Sequence, residues 1–282
     1  MDRCALVLEG GAIRGVFTAG ALDFLMEKGV TFPYVASVSA GTCCAMGFLS
    51  GQIGRTRACM MPDPDNKYFG LQTLRESGHL MDLRDIFLSH PYDRFPFDFQ
   101  KYFHNPAVHE IVATDRETAK AVYFQERTDE YRLGLAAMAS CSIPLLNEPV
   151  ELDGRFYYDG GIADSIPVGR ALERGYRKVF VIMTRRQGHF PSASVLHTPA
   201  YRAFLSKHPA FLSAMESRPA RYRVQVEMAQ RLEEQGRCFL LRPTQPELSH
   251  LETNPTMAAA YYRHGYKVME SRWDEFQRFL EK

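Results

Sequence analysis

The chain is short of net charge: 34 Lys and Arg stand against 33 Asp and Glu, leaving +1 over 282 residues. So even a balance supplies no global field toward nucleic acid or an anionic membrane; no nucleic-acid partner is expected, and only a local basic patch, at Arg218, Arg221 and Arg223, stays open. Cysteine is sparse and scattered. The six residues Cys4, Cys43, Cys44, Cys59, Cys141 and Cys238 contain no C-x-x-C pair, so neither a dense disulfide framework nor a zinc-ribbon spacing is present. Cys4 falls in an apolar, strand-like run and Cys43 and Cys44 in a helix-like one, which reads as reduced structural thiols in a cytoplasmic protein. No apolar stretch approaches the roughly 20 residues of a membrane-spanning helix. Met1-Asp2-Arg3 runs directly into Cys4-Ala5-Leu6-Val7-Leu8, so no signal peptide is expected. Internal repeats, low-complexity tracts and a convincing cluster of metal ligands are also lacking.

What is present is an ordinary globular composition, 45% hydrophobic and 24% charged, enough for one α/β core with a smaller appendage. Cys4 to Leu8 is a short apolar run, broken by Glu9-Gly10-Gly11-Ala12-Ile13-Arg14-Gly15 before Phe17, Ala21, Leu22, Leu25 and Met26 take up a helical period that stops at Gly29. Val35 to Val38 repeats the strand, and Cys44, Ala45, Phe48 and Leu49 repeat the helix. Two strand-helix units in about fifty residues predict a parallel sheet. Further strands are expected over 108–113, 121–124 and 179–183. A hairpin turning at Asp153-Gly154 is expected to deliver Asp159, with helices over 131–139 and 166–174. Beyond 192 two amphipathic helices, 199–217 and 221–235, precede a strand at 238–241 and a last helix over 257–280. Arg218, Arg221 and Arg223 around Tyr222 read as an exposed helix face.

Ser39 sits in Ser37-Val38-Ser39-Ala40-Gly41 between a strand and a helix, where a nucleophile elbow would place its serine. On that tripeptide alone a helix N-cap is the more economical reading. The glycine loop shifts the balance, because one βαβ unit sets Gly10-Gly11-Ala12 beside Ser39 at the carboxyl ends of adjacent strands, where amides can stabilise an oxyanion. A phosphate loop fits poorly, since Val16 and Phe17 stand where Lys and Ser/Thr are needed, and the dinucleotide triplet is absent. A serine nucleophile needs a base. His79, His90, His104, His189, His197 and His208 lie in polar or Pro-containing loops and read as surface residues, whereas Asp159-Gly160-Gly161 ends a strand; an Asp-Gly turn explains that tripeptide equally well.

Taken together, Glu9 to Gly15, Ser37 to Gly41, Ala139-Ser140 through Pro144, and Asp159-Gly160-Gly161 resemble, in order, the anion-binding loop, Gly-x-Ser-x-Gly elbow, Ala-Ser…Pro segment and Asp-Gly-Gly/Ala motif of the patatin-like phospholipases. The resemblance covers about residues 4 to 185, and the chain is also similar to bacterial patatin-family proteins with a helical C-terminal extension. It implies a three-layer α/β/α fold with a mainly parallel sheet. The divisions would be a catalytic domain over 1–190, with 52–105 as insertion or lid, and a mostly helical extension over 191–282 packed on the same core. It further implies a serine acyl hydrolase of lipid or other acyl esters, needing no cofactor or metal, cytoplasmic with transient contact at a membrane surface. Ser39 and Asp159 would form a dyad without histidine; Gly10, Gly11 and Ala12 amides would bind the oxyanion, with Arg14 in support. Two residues depart from the family pattern: Ala12 replaces a third glycine and Ser37 the elbow's first glycine. If position 12 needs a positive φ, its Cβ costs about 1 kcal/mol. Both departures favour the alternative, a catalytically silent lipid- or acyl-binding protein. Tyr68, Phe69, Tyr92, Phe95, Phe97 and Phe103 are the aromatics expected to cover the site. Phe17, Phe24, Met46 and Phe48, at helical spacing, are expected in the core.

Overall fold

A computed structural model describes residues 4–61, 73, 75, 81–190, 206, 208–250 and 252–281. The chain opens with β1 (Cys4–Leu8), α1 (Gly15–Glu27), β2 (Tyr34–Val38), α2 (Ala40–Leu49) and α3 (Arg55–Met60). It continues through α4 (Phe99–His104), β3 (Val108–Asp115), β4 (Ala121–Phe124), α5 (Glu130–Cys141), β5 (Val150–Leu152) and β6 (Arg155–Asp159). Then come α6 (Val168–Glu173), β7 (Lys178–Ile182), α7 (Pro209–Glu234), β8 (Cys238–Leu241), α8 (Pro255–Ser271) and α9 (Trp273–Glu281). The sheet runs β5-β6-β3-β2-β1-β7-β8, with β4 also pairing with β3. From β3 to β8 along that order neighbours are parallel, while β4, β5 and β6 join antiparallel.

Both faces of the central strands are covered, so β1 and β2 are buried at every residue and read as continuous apolar runs rather than alternating ones. The strand period still sorts side chains by face. Leu6 and Leu8 join Phe17, Leu22, Leu25, Phe180 and Phe276 in one core, and Ala5 and Val7 join Tyr34, Val181, Tyr222 and Val226 in the other. Phe17, Phe24, Met46 and Phe48 all lie in the first core. These are the three layers expected of the fold class.

Two differences from the sequence expectation concern the C-terminal helices. The helix near 221–235 begins much earlier, as α7 starts at Pro209 and carries Pro219 inside it; the 199–207 part of the expected preceding helix lies, apart from Ser206, outside the described residues. Pro219 removes the backbone donor that would meet Met215 O, yet the helix continues through it to Glu234. The last helix, by contrast, is two: α8 ends at Ser271, and Arg272 leaves the helical path to pair with Glu275 at 2.7 Å.

Glu110 on β3 ties the sheet to α6. Its buried carboxylate accepts from Tyr34 Oη at 2.6 Å, Arg170 Nε at 2.7 Å, Gln125 Nε2 at 3.0 Å and Arg174 Nε at 3.0 Å. Burial alone would push its pKa up, but these hydrogen bonds outweigh burial and hold it at about 2, below the ordinary 4.5. A depressed carboxylate pKa stabilises the fold above the unfolded value and loses that contribution as pH falls from about 4.5 through about 2. Glu110→Gln should therefore cost about 2–3 kcal/mol at pH 7, less than a fully buried pair because both arginines reach solvent. The gap between the two urea midpoints should close as the pH approaches 2–3; a gap independent of pH would remove the carboxylate from this role.

Candidate active site

Ser39 links β2 to α2 with φ 53° and ψ −125°, a left-handed backbone that a non-glycine residue adopts at a cost on the order of 1–3 kcal/mol. It occupies the N-cap position, yet its side chain makes no capping hydrogen bond. Ser39 and Asp159 line the same cavity, and the Ser39 hydroxyl works to lower the Asp159 pKa. The backbone is fixed from both ends, for Ser39 N donates to Ser140 Oγ at 2.9 Å and Ser39 O accepts from Thr42 N at 2.7 Å. Gly41 is required by crowding: a Cβ there would lie 2.7 Å from the carbonyl oxygen of Leu8.

Ser37, at the elbow's first small position, spends its hydroxyl on a buried chain. Ser37 Oγ lies 2.7 Å from His109 Nε2 and 3.1 Å from Thr42 Oγ1; Thr42 Oγ1 lies 3.1 Å from Ser140 Oγ, and Tyr102 Oη closes the far end 2.7 Å from His109 Nδ1. Burial, with Arg127 nearby, pushes His109 down to about 3 against the pull of Glu110, so the imidazole in this chain is neutral. The replacement of glycine by serine thus brings its own partners.

Asp159 arrives at the end of β6, paired in register with Ala113. Its Oδ1 accepts from Gly161 N at 2.7 Å, so the Asp-Gly turn and the approach to Ser39 coexist in one carboxylate. Only 9% of the residue is exposed, and burial raises its pKa from 3.8; the Ser39 hydroxyl, the Gly161 amide and the Arg218 charge work in the opposite direction.

The glycine loop reaches the same point from β1. Glu9, buried, accepts from Thr184 N and from Tyr222 Oη, each at 2.7 Å, and burial raises its pKa. Thr184 Oγ1 donates to Gly10 O at 2.7 Å, holding the loop against β7. A Cβ on Gly10 would stand 2.8 Å from Ser39 Cβ, so only glycine lets the loop backbone come this close. Among the described residues none of the amides of Gly10, Gly11 and Ala12 donates to a backbone carbonyl. Ala12 has φ 50°, so its Cβ does carry the left-handed strain that glycine would avoid. Arg14 stands behind the loop rather than in the cavity: its Nε donates to Leu248 O at 2.8 Å, the carbonyl-binding role of a helix-start residue.

Ser39, Asp159, Gly10, Gly11 and Ala12 line one cavity of about 160 Å³, together with Arg218 and with Arg185, Met215 and His250, which the sequence did not single out. Of the arginines expected on a solvated face of α7, Arg223 is exposed but Arg218 and Arg221 are half-buried. Arg218 Nε donates to Gly161 O at 2.6 Å and Arg221 Nη2 to Ile162 O at 3.0 Å, while Tyr222 is buried against Glu9. Helical periodicity marks which side of α7 is apolar but carries no sign that its polar side closes a cavity built some 60 residues earlier. His250, although exposed as a residue, is pushed down to about 4 by desolvation of its ring and by Arg14, Arg185 and Arg218. Of the aromatics expected as a cover, Tyr68 and Phe69 lie outside the described residues, as do His79 and His197. Tyr92, Phe97 and Phe103 pack on Phe99, and Phe95 on His90; none of these four lines the cavity. Among the described residues no cluster of His, Cys, Asp and Glu could hold a metal ion, and no helix is long and apolar enough to cross a membrane.

A glycine-rich strand-loop-helix arm, a strained serine and a glycine-flanked aspartate on one α/β sheet define a class. The chain belongs to the patatin-like phospholipase family, whose sequence model matches residues 6–172. A domain of unknown function (DUF6363) matches residues 208–281. The chain is 30% identical over 187 residues to the uncharacterized protein YjjU of Escherichia coli K12, spanning 64% of this chain and 52% of that one. It is 25% identical over 194 residues to the probable lipid hydrolase 463L of invertebrate iridescent virus 6, spanning 61% and 64%. It thus spans about half the length of the E. coli relative. VipD from Legionella pneumophila shares the fold, with a TM-score of 0.56 over 98% of this chain and 67% of that one at 13% identity.

Proposed function

We propose that this chain is a serine acyl hydrolase that cleaves carboxylic esters of lipids with a Ser39–Asp159 dyad. The observation that carries the proposal is Ser39, held in a strained backbone without a capping hydrogen bond, lining one cavity with the buried Asp159 carboxylate and with amides that have no backbone acceptor. Asp159 takes the Ser39 proton as Oγ attacks the ester carbonyl; the Gly10, Gly11 and Ala12 amides meet the oxyanion; the leaving alcohol takes the proton, and water then frees the acyl group by the same steps. The raised pKa of Asp159 suits a base better than an ordinary aspartate would. No cofactor enters this chemistry. A cavity of about 160 Å³ holds the scissile ester and little more, so the acyl chain runs out through its mouth. Arg185 and Arg218 on the wall favour an ester with an anionic group nearby, as in a phospholipid or lysophospholipid. The substrate would be met at a membrane surface from the cytoplasm, by transient contact. Residues 1–190 would form the catalytic part, with 191–282 supplying Met215, Arg218 and His250 to the wall. Substrate class is tested by fatty-acid release from a panel of phospholipid, lysophospholipid, acylglycerol and thioester substrates, each run beside Ser39→Ala. Release that is equal in the two chains for every substrate would end the proposal.

The strain at Ala12 favours a second reading, a silent protein that binds lipid or acyl groups and keeps the fold. It predicts saturable binding of a fatty acid with no Ser39-dependent release.

A further inference from the structure

In an open α/β sheet, ligands bind outside the carboxyl ends of the strands. The catalytic cavity takes the ends of β1, β2 and β6, while the ends of β7 and β8 open on a second cavity of about 460 Å³ that contains none of its residues. The chain leaving β7 serves both: Arg185 lines the catalytic cavity, whereas Arg186 and Gln187 line the second. Arg242 enters from the end of β8, Gln230 and Glu233 from α7, and Arg272 from the break between α8 and α9.

Three guanidinium groups therefore surround one space, and they are not equally occupied. Arg272 pairs with Glu275 at 2.7 Å, and Arg186 lies 3.9 Å from Glu247. Arg242 has no such acid within ion-pair distance among the described residues, and its Nη2 is buried without a hydrogen-bond partner, as is Arg186 Nε. Arg242 is half-buried and lines the cavity with no acid paired to it, so the part of its guanidinium that faces the space is the donor an anion there would meet. Glu233, Glu247 and Glu275 balance the three arginines in number, so no bulk field draws the ligand; directed donors select it. Glu233 is itself an acceptor in the wall, suited to a hydroxyl, and a space of this size fits a small molecule rather than a lone ion.

We infer that the second cavity binds the phosphate monoester of a small polyol, with the phosphate on Arg242 and Arg186 and a hydroxyl on Glu233. The ligand is either a free polyol phosphate or the headgroup of a phosphomonoester lipid, and the site is independent of the Ser39 chemistry.

The test uses the Ser39→Ala chain, so that it stands whether or not the protein hydrolyses esters. Two arms are run: calorimetric titration with sn-glycerol 3-phosphate, and flotation with phosphatidylcholine vesicles with and without phosphatidic acid. Saturable binding of glycerol phosphate, weakened at least about tenfold by Arg242→Gln and less by Arg242→Lys, supports the site and a free ligand. Binding only to vesicles containing phosphatidic acid, with the same dependence on Arg242, supports the site and a lipid headgroup. Gln230→Leu serves as a second variant should Arg242→Gln lower the melting temperature, and is likewise expected to weaken binding. Absence of binding in both arms at millimolar ligand, or equal binding by folded variants and parent, would overturn the inference.

Discussion

Asp159→Asn is expected to lower ester hydrolysis by about 10³–10⁴-fold while leaving the melting temperature unchanged or slightly raised. In the proposed dyad the Asp159 carboxylate is the base for Ser39, and asparagine keeps its shape while losing its ability to take the proton. The stability half of the prediction follows from the sign of the shift. Burial raises the Asp159 pKa above 3.8, so ionising it costs folding free energy, and that cost appears as pH rises from 3.8 through the raised value. A neutral amide removes the cost and still accepts from Gly161. The same shift sets the acid limb of activity: hydrolysis by the unmodified chain should fall as pH drops through an apparent pKa above 3.8. Nitrophenyl butyrate turnover across the acid range, with melting curves at each pH, reads both. Activity surviving in Asp159→Asn would mean that another group is the base, and His250 on the cavity wall would be the first to examine.

Gly10→Ala is the second large effect. The added methyl would lie 2.8 Å from Ser39 Cβ and 3.1 Å from Val38 O, so the loop must back away from the nucleophile. An oxyanion donor moved out of line typically loses about 10²–10³ in rate. Turnover should fall by that amount and fatty-acid binding much less, because the donors matter most when charge develops on the carbonyl oxygen. A variant that instead lost binding while keeping turnover at saturation would place the loop in substrate binding rather than in oxyanion stabilisation.

The strand-loop-helix rhythm of residues 4–49 was readable because glycines and apolar periods sit close together in sequence, and one βαβ unit has few ways to fold. Asp159 was readable for a similar reason, since Asp153-Gly154 fixes the hairpin that carries it. Ser39 was ambiguous, and the ambiguity lay in a dihedral angle: an N-cap serine and an elbow serine share a tripeptide but not φ 53° or the direction of Oγ. Ser37 read as a departure from a family glycine, whereas its hydroxyl belongs to a buried chain ending at Tyr102, 65 residues onward. Arg185 and His250 could not be found, because they sit in loops without a pattern of their own, and Arg218 was read as exposed because the pattern of α7 describes only its apolar side. The division into a catalytic part and an extension was drawn where the composition turns polar, yet β8 beyond it extends the sheet in parallel to β7.

The central claim is that Ser39 is a nucleophile activated by its surroundings. The direct measurement is covalent labelling by a fluorophosphonate, with the modified residue located by mass spectrometry. A single adduct on Ser39, absent from folded Ser39→Ala and strongly slowed in Asp159→Asn, is the expected result. A folded wild-type chain that stays unlabelled, or a label of equal extent on Ser39→Ala, would contradict it.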